Sequence, residues 1–214
     1  MRYWSARTWT ILAGALVLGF LLRRPLLLAS LRHQSAPRPA VEGEPIQEAE
    51  DRKPFEHAAG GKRYRIVPRF RWDEAARVLS ERPYRFSRGA ALIPVDWVLG
   101  WGPVIAPPYA GAIHYTQVSR FYMWGTSDLR LDRGAIVTHT ANTHVIPGSA
   151  RLRRAVSVVR KGDDVRLEGW LVDVNGIDSP DFQWRTSTSR SDEGPGGCET
   201  VYLTRLTVNT RVYE

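Results

Sequence analysis

Cys198 is the one thiol in the chain; it follows the glycine-rich run Ser191-Asp-Glu-Gly-Pro-Gly-Gly197 and precedes Glu199. A thiol beside an imidazole becomes a nucleophile when its pKa is lowered. The segment Asn142-Thr-His-Val-Ile-Pro147 offers His144 as that imidazole. A hydrolase or transferase using His144 with Cys198 is therefore one reading of the sequence. The structural reading weighs against it, because a lone cysteine opening a strand is ordinarily a small buried apolar group. His139 and His144 form a second pair, but residues five apart on a continuous strand point to opposite faces. No Cys/His or Glu/His pair has recognised metal-ligand spacing, so neither a metal nor a cofactor is expected.

A third constellation interleaves aromatic and basic residues: Trp97, Trp101, Arg120, Tyr122, Trp124, Trp170, Trp184 and Arg190. Flat rings flanked by guanidinium groups suit bases, sugars or phosphate-bearing polymers. Most of the eight tryptophans are expected in the core, where large rings commonly pack. The candidate ligand-binding set drawn from these stretches is Asn142, His144, Arg190, Arg120, Trp124 and Trp101. The chain has no phosphate loop, dinucleotide fingerprint, Gly-x-Ser-x-Gly elbow or basic helix-turn-helix, which removes the commonest enzyme and DNA-binding classes.

The elements that must position these residues read as mostly extended. Arg160-Lys-Gly-Asp-Asp-Val-Arg-Leu-Glu-Gly-Trp-Leu-Val-Asp-Val174 alternates Val165 and Leu167 with Arg166 and Glu168, the period of a half-buried strand. Gly162-Asp163 is turn chemistry, and Gly169 inside the strand marks a bend, a bulge or a close backbone approach. Further strands are expected over 63–68, 114–124, 135–146, 182–189 and 200–208, while 90–102 reads as apolar and glycine-punctuated. Asp73 to Ser80 reads as a helix, with acids in its first turn and Pro83 to stop it. A short helix is also expected within Ser149 to Val159. The fold class is mainly β with one or two short helices, as a small OB-like barrel or a β-sandwich.

Before this domain, Trp9 to Leu22 and Leu26 to Leu31 carry no charge, and Arg23-Arg24-Pro25 separates them. Counted over 9–31 the stretch is long enough to span a bilayer, so residues 1–33 read as an anchoring helix or uncleaved signal. Arg23, Arg24 and Arg32 outnumber Arg2 and Arg7, which by itself would hold the carboxyl side in the cytoplasm. Short amino-terminal anchors nevertheless usually export the domain attached to them. The expected placement is a single-pass bacterial inner-membrane protein with a periplasmic domain. Residues 34–61, rich in Pro, Glu, Gln and Ala, read as a disordered linker, and 62–214 as one β-rich domain. The net charge of +8 is uneven: residues 1–33 hold five arginines and no acid, whereas 34–60 hold three basic and six acidic residues. The remaining basic excess is compatible with an acidic polymer partner, although nucleic acid is not favoured.

Several stretches in fixed order resemble a family of uncharacterised bacterial membrane-anchored proteins. They are Ala76-Arg-Val-Leu-Ser80, Pro94-Val-Asp96 with Gly100-Trp-Gly102, Arg120-Phe-Tyr-Met-Trp124, Ala141-Asn-Thr-His-Val-Ile-Pro147, Gly162-Asp163 with Gly169-Trp-Leu-Val172, and the series from Trp184 to Cys198-Glu199. The resemblance implies membrane association and carries over no reaction, cofactor or catalytic residue. The expected function is an anchored β-barrel-like domain that binds a ligand or a cell-envelope partner, with no catalysis evident. The His144/Cys198 hydrolase or transferase and a nucleic-acid-binding module are the alternatives.

Overall fold

The structure is a computed structural model that describes residues 34–192, 194 and 196–214. The anchor expected within residues 1–33 lies outside the described residues. Among the described residues no helix is long and apolar enough to cross a membrane.

The fold is mainly β with few short helices. Its longest strand, β4 (Lys62–Pro83), includes the stretch expected as a helix. Trp72, Glu74, Ala76 and Val78 are buried, while Asp73, Ala75, Arg77 and Leu79 are partly exposed. That alternation is a strand's and overrides the local helical propensity of Ala-Ala-Arg-Val-Leu, because β4 is hydrogen-bonded to neighbouring strands on either side of Arg77. One neighbour is β5 (Val95–Gly100). The other is β9 (Asp164–Gly176), the strand of the Gly162–Val174 stretch.

β5 pairs with β8 (Thr140–Pro147). β8 pairs in parallel with β11 (Glu199–Val208), and β11 returns to β9 in antiparallel register. The pairings thus form a cycle: β4, β5, β8, β11, β9 and back to β4. Val165, Leu167 and Leu171 of β9 are fully buried. Gly169 is needed for close approach, since a Cβ there would run into the Tyr202 carbonyl oxygen of β11.

The segment expected as a disordered linker is instead part of the sheet. β1 (Gln34–Ser35) pairs with β12 (Arg211–Tyr213), and β2 (Ile46–Ala49) and β3 (Phe55–Ala59) pair with β4. Val41 is buried, and its carbonyl accepts from Gly102 N at 2.9 Å. Composition misleads here because these strands are held by backbone hydrogen bonds to a neighbouring edge and need little apolar bulk of their own.

Two expected strands also divide. Residues 114–124 form a hairpin, β6 (His114–Val118) and β7 (Phe121–Gly125), turned by Ser119 and Arg120 at φ 50° and 73°. Residues 135–146 split into α1 (Arg133–Thr138), capped by Asp132, and β8. The expected strand over 182–189 shortens to β10 (Gln183–Trp184), and the helix expected after Ser149 is α2 (Ala150–Val156). A second apolar layer joins Tyr64, Ile66, Leu92, Ile93, Ile146, Val172, Val174 and Phe182.

Candidate functional site

Cross-strand register decides which polar groups meet. Asp96 of β5 lies opposite His144 of β8, and Val98 opposite Asn142, so Asp96, His144 and Asn142 share one face of the sheet. The left-handed turn of the β6–β7 hairpin presents Arg120 to that face. Its Nη1 lies 2.8 Å from Asp96 Oδ1, its Nη2 donates to the Ile93 carbonyl at 3.1 Å, and its guanidinium lies 3.5 Å above the Tyr84 ring. His144 Nδ1 lies 2.9 Å from the same Asp96 oxygen, and the His144 ring meets Trp184 edge-on at 4.8 Å. Asn142 Nδ2 donates to the Arg120 carbonyl at 2.9 Å and reaches Cys198 Sγ at 3.4 Å, while its Oδ1 accepts from Gln117 at 3.1 Å. The group is a lock that fastens the hairpin turn to the sheet. Burial pushes the Tyr84 hydroxyl up to about 12, with the Asp96 carboxylate adding to the shift.

Cys198 stands at the edge of this lock. Burial pushes its thiol up to about 11; the Asn142 amide opposes the shift, and the charges of Glu199, Asp96 and Asp192 add to it. The thiol is thus protonated near neutral pH, the reverse of the activation a nucleophile needs.

On the other face of β11, Glu199 begins a second group. Its Oε1 accepts from Arg190 Nη1 at 2.9 Å, and Arg190 Nη2 donates to Gln47 Oε1 at 3.1 Å. The Arg190 guanidinium lies 4.3 Å over Trp72 and 6.0 Å from Trp101. Trp72 Nε1 donates to Glu74 Oε2 at 3.2 Å, and Trp101 Nε1 donates to Glu44 Oε2 at 3.0 Å. Glu74 and Glu199 are 0% and 3% exposed. Burial pushes Glu74 up to about 7 and Glu199 up to about 8, against the opposing charge of Arg190.

Arg190, Glu199 and Cys198 also line a cleft of about 510 Å³. Its opposite wall is β7 with Phe121, Tyr122 and Trp124, together with Arg133 and Val137 of α1. Arg133 stacks on Trp124 at 4.6 Å, and Tyr122 Oη is 3.0 Å from Thr140 Oγ1. Aromatic faces, two guanidinium groups and the acidic side chains of Asp192 and Glu199 in one concave site can hold a ligand by stacking and charge-assisted hydrogen bonds.

Of the residues singled out from sequence, Arg190, Trp124 and Cys198 meet in the cleft. Asn142 supports Cys198 from behind. Arg120 and His144 belong to the lock, and Trp101 belongs with Arg190. His144 is engaged with Asp96 and Trp184, and Cys198 with Asn142 and the Arg120 carbonyl. His139 instead lies 3.1 Å from Glu44, so the two histidines have different partners. Sequence reasoning missed Asp96, Trp72 and Glu74 as site residues. The signal for Glu74 was present, since Trp72-x-Glu74-x-Ala76-x-Val78 alternates and so puts a carboxylate on an apolar face. Reading the stretch as a helix concealed it.

No protein-family model, curated protein or solved structure matches the chain.

Proposed function

We propose that the domain is an OB-like binding module, tethered to a bacterial inner membrane through residues 9–31, that holds a ligand or cell-envelope partner in the cleft between β7, α1 and β11. The barrel part of this reading draws support from the pairing order. Taken in chain order, the five ring strands pair first to second to third to fifth to fourth to first, with the third and fifth parallel and α2 between the third and fourth. A five-stranded Greek-key barrel closes by such a cycle, and that fold binds extended ligands beside the loop before its last strand. The cleft lies at that loop.

The observation that carries the reading is the cleft itself, whose aromatic wall and flanking arginines serve recognition. Binding is preferred to covalent chemistry because burial holds the Cys198 thiol neutral, the reverse of an activated nucleophile. Titration of the protein with a short glycan, an oligonucleotide and an arginine-containing peptide, followed by calorimetry, tests the proposal. One probe class should bind saturably and lose at least about tenfold in affinity in Trp124→Ala and Arg133→Ala, each variant remaining folded at the assay temperature. Equal affinity in wild type and both variants would sink the cleft. Placement is tested separately by a carboxyl-terminal alkaline phosphatase fusion, which should be active if the domain is periplasmic.

A further inference from the structure

Arg190 stands in surroundings of the kind proteins use to recognise someone else's cation. Its guanidinium lies over the Trp72 face with Trp101 nearby, and its two terminal nitrogens are met by the Glu199 carboxylate and the Gln47 amide oxygen. Planar groups that present parallel N–H bonds are matched by such a combination of ring face and in-plane oxygens, whereas a tetrahedral ammonium cannot lie flat on the ring while aiming two parallel N–H bonds at the oxygens. Acceptors also remain in excess. Glu74 Oε1 and Glu199 Oε2 are buried and have no hydrogen-bond partner among the described residues. Trp72 and Glu74 are fixed on β4 and Glu199 on β11, both in the strand cycle. Arg190 is a single side chain between β10 and β11, still 27% exposed.

We propose that this is a guanidinium-binding cage which Arg190 occupies as an internal stand-in, and that a guanidinium-bearing ligand takes its place when the Arg190 side chain swings out. Burial raises both carboxyls, the single Arg190 guanidinium opposes the rise, and the charge of Glu74 adds to it at Glu199. The inference rests on the reading of the adjoining cleft as the ligand site, because Arg190 and Glu199 belong to both. It narrows the ligand class to one bearing a guanidinium, such as an arginine side chain on a partner.

The test uses the full chain in detergent, with agmatine as probe and putrescine as the control that lacks the guanidinium. Arg190→Ala should bind agmatine saturably and at least about tenfold more tightly than putrescine. Adding Glu199→Gln should remove that preference, and the wild type should bind agmatine more weakly than Arg190→Ala because its own arginine competes. An Arg190→Ala protein that is folded yet takes the two amines equally would overturn the proposal. If Arg190→Ala does not fold, the wild type decides: weak uptake selective for agmatine supports the cage, and equal uptake overturns it. Selective uptake that survives addition of Trp124→Ala supports the cage even where the cleft reading fails.

Discussion

Glu74 and Glu199 are the residues on which acid–base behaviour turns. Each carboxyl is raised by burial, to about 7 and about 8, from an ordinary value of 4.5. A raised acid binds more protons folded than unfolded, so its contribution to stability is complete below the unfolded pKa and is lost as pH rises through the folded one. Asp164 has the opposite sign. Burial pushes it up, but hydrogen bonds from Arg77 and Arg38 outweigh that and hold it low; its contribution is present above the usual carboxylate range and lost in acid. Stability should therefore peak in mildly acidic solution and fall as pH approaches 8. Denaturant unfolding between about pH 5 and about pH 8 should show a loss on the order of 2 kcal/mol from Glu74, and Glu74→Gln should flatten the profile by that amount. A profile with the same slope in wild type and variant would remove Glu74 as its source. Glu199 was visible in the sequence as the neighbour of Cys198. Its burial was not, because β11 is buried on both faces over Glu199–Leu203 and so carries no alternation to read.

The β6–β7 hairpin shows how an element is held by its turn. Ser119 and Arg120 both adopt left-handed backbone, which costs a non-glycine residue about 1 kcal/mol. Relieving that cost at Ser119 touches nothing else described for the turn. Ser119→Gly should thus raise stability by ~0.5 kcal/mol, the gain being reduced by glycine's greater unfolded-state freedom. Arg120→Gly relieves the same strain yet deletes the cation beside fully buried Asp96. It should cost about 3 kcal/mol, as expected when one partner of a buried pair is removed. Opposite shifts in melting temperature for the two variants are the expected result; a gain in both would mean that the lock contributes nothing. The expected single strand over 114–124 could not reveal this. Ser-Arg is a poor turn dipeptide, and only the buried Asp96 explains why an arginine occupies a left-handed position.

At the scale of the molecule, residues 34–61 are part of the domain. β2 and β3 cover one edge of β4, β1 covers β12, and Glu44 and Gln47 contact Trp101 and Arg190. A chain beginning at His33 should melt in one cooperative transition, since residues 33–214 form one compact unit. A chain beginning at Lys62 should lose that transition or melt well below it, because an exposed strand edge and the apolar contacts of Phe55 and Ala59 are left open. Equal melting temperatures would restore the linker reading. The acidic, proline-containing composition of 34–61 had pointed the other way, because composition weighs side chains and these strands are secured through their backbone.

Period-two alternation by itself determined the β class, and it placed β9 with Val165, Leu167 and Leu171 inward, because which face of a strand is buried is written in its own residues. The glycine at 169 was equally legible as a point where two backbones come close. Tertiary structure decided everything that depends on a partner strand. It turned Asp73 to Ser80 from helix to strand through pairing with β9 as far as Arg77 and with β5 from Arg77 onward. It brought Asp96 to Arg120 and His144, and it set Arg190 against Glu199, Glu74 and Trp72. Those contacts join residues far apart in the chain, and their energies arise only once the register between strands is set.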